Sequence, residues 1–184
     1  MSAIPVARSA RGTPLRNRMS IRIELASVED CRALCELENA SFAGDRISAR
    51  SWRAFLASTS ATVTVARARA DGHEAPRIAG AAVVLQRAGT SVARLYSIAI
   101  APHARGRGVS SALLDDATQR MRDAGAAVLR LETRLDNVPA RRLFARSGFV
   151  QRGRKAAYYE DGQDALLFQK SLWNLGAVAV SKEY

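Results

Sequence analysis

The chain has 184 residues, of which 48% are hydrophobic and 24% charged, a size and composition typical of one globular domain with a full core. Its 28 Lys and Arg residues against 17 Asp and Glu give a net charge of +11, which favours polyanionic ligands without choosing among them. No apolar run approaches the roughly 20 residues of a membrane span, and no secretory apolar region is present near the N-terminus.

The two ends of the chain are predicted to be tails. Residues 1–19 interleave arginines with Ser, Pro, Gly and Asn and lack apolar periodicity, which is typical of a disordered basic segment. An arm that docks on RNA is the alternative interpretation of this segment. The domain is predicted to cover residues 20–171, followed by a tail over 172–184.

The first elements are a strand at Ser20–Leu25 and a helix whose N-cap is Ser27. Asp30 occupies the third helical position, where a carboxylate can complete a capping box. Cys31 and Cys35, the only cysteines, lie four residues apart on this helix and are predicted to face the core as reduced thiols. Because the two histidines lie in separate loops, no metal site is expected. Reduced cysteines are typical of the cytoplasm, so we expect a cytoplasmic protein.

The remaining elements alternate in type along the chain. Ser48 is expected to cap a second helix, and a polar loop over 69–77 separates the next two strands. The predicted elements are strands at Ala61–Ala68, Ile78–Gln86 and Ser91–Ala101, a helix at Gly106–Ala124, a strand at Val128–Thr133, a helix at Val138–Ser147, and strands at Phe149–Gly153 and Ala165–Lys170. This order predicts one mixed α/β sheet of about seven strands with helices on both faces.

A basic glycine turn joins the apolar strand before Pro102 to the following helix. Arg105, Gly106, Arg107 and Gly108 form this turn. Backbone N–H groups at a helix N-terminus, close glycines and two arginines together suit a pyrophosphate. The tetrapeptide alone equally describes a solvated turn, and it is not a P-loop because no Gly-Lys-Ser/Thr follows.

Glu132 stands out because it ends an otherwise apolar strand, VLRLET. A carboxylate is costly to bury there, and a partly buried one suits general-base chemistry near neutral pH. The simpler alternative is a surface glutamate paired with Arg130 or Arg134.

Two stretches resemble the GNAT N-acetyltransferase superfamily. Arg105, Gly108 and Ser110 follow its acyl-CoA pyrophosphate pattern, Gln/Arg-x-x-Gly-x-Gly/Ala, except that serine holds the last position. Residues 128–149, VLRLETRLDNVPARRLFARSGF, resemble its segment Glu-x(4)-Asn-x-x-Ala-x-x-Leu-Tyr-x-x-x-Gly-Phe. This segment and the YYEDG phrase at 158–162 are similar in particular to the RimI-like alanine N-acetyltransferases, which acetylate protein N-termini.

The resemblance covers residues 20–171 and implies a single GNAT-type domain whose mostly antiparallel sheet splays between strands 4 and 5. It implies acetyl-CoA as co-substrate, direct transfer without a metal, and Glu132 as the base. Asn137 would hydrogen-bond the pantetheine arm or cap its helix, and Phe144 replaces the usual general-acid tyrosine. The implied acetyl-CoA-binding residues are Ile98, Ala99, Ile100, Arg105, Gly106, Arg107, Gly108, Val109, Ser110, Ser111, Asn137 and Phe144.

The resemblance implies that Phe42, Asp45, Tyr158 and Tyr159 contact the acceptor, which is expected to be a protein or peptide amine. A small-molecule amine, or a non-catalytic acyl-CoA sensor, is the alternative function. An RNA- or ribosome-binding module is supported by charge alone, so specific nucleic-acid binding is not expected. A monomer or a homodimer is expected.

Overall fold

The computed structural model of the chain describes residues 20–42, 44, 46–69 and 76–173, so the predicted tail over 1–19 and most of the predicted tail over 172–184 lie outside the described residues. The strands are β1 (Ser20–Leu25), β2 (Ala61–Arg69), β3 (Arg77–Gln86), β4 (Val92–Ile100), β5 (Val128–Arg134), β6 (Val150–Lys155) and β7 (Ala165–Ser171). The helices are α1 (Cys31–Ser41), α2 (Ala49–Ala57), α3 (Val109–Asp123) and α4 (Val138–Arg146).

The seven strands form one sheet in the order β1-β2-β3-β4-β5-β7-β6. All neighbouring strands are antiparallel except β4 and β5, which are parallel. The predicted order of elements and the predicted mixed sheet are therefore confirmed.

Helices cover both faces of the sheet around β3. Residues 79–84 of this strand are all buried. Because successive side chains of a strand point to opposite faces, an unbroken buried run requires cover on both sides. Helices α1 and α3 both contact β3, and the core between the layers is built around Leu34, Val83 and Leu113.

The sheet opens between β4 and β5. Their ladder has only three pairs, from Val92↔Val128 to Arg94↔Arg130. Immediately after it, the register of β4 against β3 shifts between Ser97 and Leu95, which leaves Tyr96 as the extra residue of a β-bulge. The carboxyl-terminal halves of β4 and β5 therefore have no ladder to each other within the described chain, as the predicted splay requires.

Backbone geometry explains where prediction and structure differ in boundaries. Helix α3 begins at Val109 and not at Gly106, because Gly106 and Gly108 have φ values of +72° and +83° and cannot continue a right-handed helix. A 3-10 turn over Val28–Asp30 precedes α1, and Asp30 accepts a hydrogen bond from the Ser27 N–H at 3.0 Å. Strand β6 begins at Val150, one residue later than predicted, and continues to Lys155.

The last described residues are held to the domain. Leu172 is buried, its N–H donates to the Ala127 carbonyl at 2.9 Å, and its own carbonyl accepts from Arg122 Nε at 2.8 Å. Both cysteines are half-buried and are not joined by a disulfide, and burial raises the pKa of the Cys35 thiol. None of the helices in the described ranges is long and apolar enough to cross a bilayer.

Candidate active site

A cleft of about 920 Å³ lies where β4 and β5 separate. Its floor comes from residues 94–98 of β4 and 131–134 of β5, and helix α4 contributes Asn137, Ala140 and Phe144. The segment between α1 and α2 and the segment between β6 and β7 form its rims. Predicted site residues from five parts of the chain therefore meet here: Phe42, Ile98, Glu132, Asn137, Phe144, Tyr158 and Tyr159.

The exposed edge of β4 offers backbone groups to this gap. The Ala101 N–H donates to the Ala79 carbonyl on β3 at 2.9 Å, so the peptide groups of Ala101 and, by alternation, Ala99 face β3. The groups of Ile98 and Ile100 consequently face the β5 side, where Ser41 Oγ lies 3.4 Å from the Ile100 carbonyl. Ala99 is 2% exposed and serves the core.

The basic glycine turn lies outside the cleft, beyond the carboxyl end of β4. Both of its glycines have left-handed backbones, and no atom lies within 4 Å of a Cβ built on either. The first N–H groups of any helix have no intrahelical partner, and in α3, which starts at Val109, no side-chain cap satisfies them. Val109 is buried, whereas residues 105–108 and Ser111 are exposed and Ser110 is half-buried. The turn is thus an open, basic loop at a helix N-terminus.

Glu132 is held by an arginine that sequence analysis missed. Its Oε2 accepts from Arg94 Nε at 2.8 Å, and Arg94 Nη2 donates to the Tyr158 hydroxyl at 2.9 Å. Partial burial opposes the charge on Arg94, but the Glu132 carboxylate outweighs it, so the pKa of this guanidinium is raised. The expected alternative, pairing of Glu132 with Arg130 or Arg134, is wrong.

Those two arginines have other partners. Arg130 Nε donates to Gln169 Oε1 at 3.1 Å, and Arg134 bonds Asp136 and Asp161. The Arg134 guanidinium lowers the pKa of Asp161, which is therefore engaged and not a free carboxylate for an acceptor amine.

Asn137 and Phe144, near the two ends of α4, line the cleft and also stabilise the fold. Asn137 Oδ1 accepts from the Ala140 N–H at 3.1 Å, which confirms the helix-capping interpretation of this residue. Phe144 is 4% exposed, and its ring packs against Phe149 and Phe168 with centroids 5.8 and 6.1 Å apart. Phe144 therefore brings an apolar ring and no proton donor to the cleft.

The predicted acceptor residues lie on the rims. Phe42 is half-buried at the end of α1, and Asp45 lies outside the described residues. Tyr158 and Tyr159 are half-buried and perpendicular, with centroids 5.2 Å apart. Lys155 Nζ lies 4.6 Å from the Tyr158 ring centroid, a cation–π contact that favours this position of the ring.

Glu38 is a second lining residue that sequence analysis missed. It is 2% exposed, its Oε1 accepts from the Ile47 N–H at 2.9 Å, and Oε2 is buried without a hydrogen-bond partner among the described residues. Burial raises the pKa of this carboxyl. Its spacing of four residues from Leu34 was the available signal, because it puts Glu38 on the core face of α1.

Comparison with known proteins agrees with this architecture. Residues 31–149 match the Acetyltransferase (GNAT) family, and the chain belongs to that family. It is 38% identical over 77 residues to an uncharacterized N-acetyltransferase of Methanocaldococcus jannaschii, covering 41% of this chain and 49% of the relative. It is also 38% identical over 77 residues to the N-alpha-acetyltransferase MAK3 of Arabidopsis thaliana, covering 40% of each. Both matches span less than half of the relative's length.

Solved structures share the fold. The ribosomal-protein-S18-alanine N-acetyltransferase from Escherichia coli superimposes with a TM-score of 0.73 at 22% identity, covering 90% of this chain and 99% of that one. At this identity the likeness shows the fold, which is the predicted GNAT domain with an open sheet.

Proposed function

We propose that the chain is an acetyl-CoA-dependent N-acetyltransferase that acts on a primary amine of a protein or peptide, with the N-terminal α-amine favoured. One observation carries the proposal: the Glu132 carboxylate and the edge of β4 at Ile98, which has no ladder to β5, line the same cleft. A thioester bound along β4 would lie within reach of an amine that has lost its proton to Glu132 on β5.

In this proposal, acetyl-CoA spans two regions. Its pyrophosphate lies on the open turn Arg105–Ser111, where N–H groups and arginines supply positive charge. Its pantetheine arm follows β4 past Ile98 and Ile100, with the Asn137 amide and the Phe144 ring on the opposite wall. The turn and the cleft are joined by β4 itself, so one strand aligns both ends of the substrate.

The reaction is direct transfer. The acceptor ammonium gives a proton to Glu132, after which the neutral nitrogen attacks the thioester carbonyl carbon and a C–N bond forms. The Ile98 N–H supports the negative charge on the carbonyl oxygen. The C–S bond then breaks, and the CoA thiolate takes up the proton that the new amide nitrogen loses. Glu132 returns its own proton to solvent.

The acceptor enters between the two rims. The aromatic side chains of Phe42, Tyr158 and Tyr159 suit an extended peptide, because flat rings contact a backbone irrespective of sequence. The relatives and structural neighbours named as protein N-acetyltransferases support a peptide acceptor.

A panel of peptides and small amines, incubated with acetyl-CoA and analysed by mass spectrometry, tests the proposal. We expect acetylation of peptide α-amines, and a fall of about 10²–10⁴-fold in kcat for Glu132→Gln with little change in acetyl-CoA affinity. Acetylation of aminoglycosides or polyamines alone would favour the small-molecule alternative. Tight acetyl-CoA binding without transfer to any amine would favour a sensor, for which the missing phenol at Phe144 is the supporting feature.

A further inference from the structure

We propose that Arg94 is a positioning residue that orients both the Glu132 carboxylate and the Tyr158 hydroxyl at the acceptor end of the cleft. The inference rests on the proposed acetyl transfer. It rests equally on two contacts of one guanidinium: Nε to Glu132 Oε2 at 2.8 Å, and Nη2 to Tyr158 Oη at 2.9 Å.

Arg94 is suited to this task by its position in the sheet. It is the last residue of β4 that pairs with β5, so its backbone is fixed by the ladder while its side chain lies at the mouth of the gap. The guanidinium then bridges from β4 to β5 and on to the segment between β6 and β7. A planar fork can donate in two directions at fixed geometry, whereas a lysine ammonium acts as a point charge.

The bridge leaves the reactive atoms of both partners available. Arg94 occupies Oε2 of Glu132, and within the described chain no group hydrogen-bonds Oε1, which stays open to an acceptor ammonium. The Tyr158 oxygen accepts from Arg94, so its own O–H proton is directed elsewhere. The Glu132 side chain is 22% exposed and that of Arg94 41%, so water screens the ion pair from the arginine side and the value of the contact lies in its geometry.

Other charged groups surround this network and contribute to any pH dependence. They are Arg130 and Arg134 on β5, Lys155, Tyr159, Glu160 and Asp161 around the β6–β7 segment, and Glu38 and Arg46 across the cleft. Arg130 provides a matched control, because it is the ladder partner of Arg94 but bonds Gln169 and does not touch Glu132.

The test measures kcat and KM against pH for wild type, Arg94→Gln, Arg94→Lys and Arg130→Gln with one accepted peptide. We expect Arg94→Gln to lower kcat by about 10–100-fold, with the acetyl-CoA KM changed less than about twofold, since a displaced base loses alignment and not cofactor contacts. Arg94→Lys should recover only part of the lost kcat, because an ammonium is a point charge and cannot reproduce both contacts of the planar guanidinium. Arg130→Gln should match wild type in both kcat and KM.

A second comparison tests the bridge itself. Tyr158→Phe should lower kcat in the wild-type background and have a smaller effect in the Arg94→Gln background, because the two residues act as a unit. Wild-type kcat in Arg94→Gln would overturn this proposal while leaving the acetyltransferase function intact. If wild type transfers acetyl to no amine of the panel, the proposed function fails and this inference fails with it.

Discussion

Replacing Gly80 by alanine tests how closely β3 packs beneath the junction of β4 and the basic turn. A Cβ at this position would lie 2.9 Å from the Ala99 carbonyl oxygen, 2.9 Å from Ile100 Cδ1 and 3.0 Å from Val109 Cγ1. Ordinary contacts begin near 3.4 Å, so the neighbours must each retreat by about 0.5 Å. Ile100 can adjust its side chain, but the carbonyl oxygen belongs to the ladder and cannot. Overpacking of this kind costs about 1–3 kcal/mol.

The assay is urea unfolding followed by the fluorescence of the buried Trp52, with Gly153→Ala as the matched control. Gly153 is also a strand glycine, but its added Cβ would lie 3.7 Å from Leu167 Cδ1, an ordinary contact. We expect Gly80→Ala to lower the free energy of unfolding by about 1–3 kcal/mol, and Gly153→Ala to be neutral or up to about 1 kcal/mol more stable. Acetyl-CoA affinity should fall in Gly80→Ala alone, since its contacts support the β4 edge and the start of α3. Equal stability of Gly80→Ala and wild type would refute the packing argument.

Further predictions concern the turn, the α4 cap and the buried carboxyl. Gly108→Val should abolish acetyl-CoA binding measured by calorimetry. Gly89→Val is the control and should leave binding unchanged, since Gly89 also has a positive φ and open surroundings but lies outside the turn. Equal affinities of the two variants would contradict pyrophosphate binding at the turn. Asn137→Asp should keep the stability of the cap but weaken acetyl-CoA binding, whereas unchanged affinity would leave Asn137 as a cap alone. Burial raises the pKa of the Glu38 carboxyl above its usual 4.5, so ionisation of Glu38 destabilises the folded protein. The free energy of unfolding should therefore fall as the pH rises from 4.5 through the raised pKa of Glu38. Urea unfolding at a series of pH values should show this fall in wild type and not in Glu38→Gln.

Local sequence signals were sufficient for the elements and for part of the site. Apolar periodicity and turn residues predicted the seven strands and four α-helices of the described ranges in order, because these features depend on residues close in the chain. The Asn137 cap follows from the same local logic. The start of α3 was misjudged by three residues, because the predicted helix began at Gly106, whereas the left-handed backbones of Gly106 and Gly108 place both in the turn before it.

The interactions of the cleft could not be predicted, because they join distant segments. Arg94 and Glu132 are 38 residues apart, and their contact depends on which strand lies beside β4 and on the point where the ladder ends. A single sequence shows neither the neighbour of β4 nor the end of the ladder, so Arg130 and Arg134, which are close to Glu132 in the chain, were the predicted partners. Glu38 was missed for a related reason: its spacing placed it on the core face, but only the packed structure leaves one of its oxygens without a partner.

The chemistry of the transfer accounts for a site that has a carboxylate at 132 and no phenol at 144. A thiol has a pKa near 8.5, so in the proposed transfer the departing thiolate can take up the proton that the new amide nitrogen loses without a phenol as donor, and the packing role of Phe144 carries no chemical penalty. The incoming amine, in contrast, must lose a proton before it can attack. An α-ammonium, with a pKa of about 7.7–8.0, loses it more readily than a lysine ammonium at about 10.4, a difference of about 3.5 kcal/mol. Under the proposed function, an N-terminal α-amine is therefore the acceptor whose deprotonation demands the least of the Glu132 carboxylate.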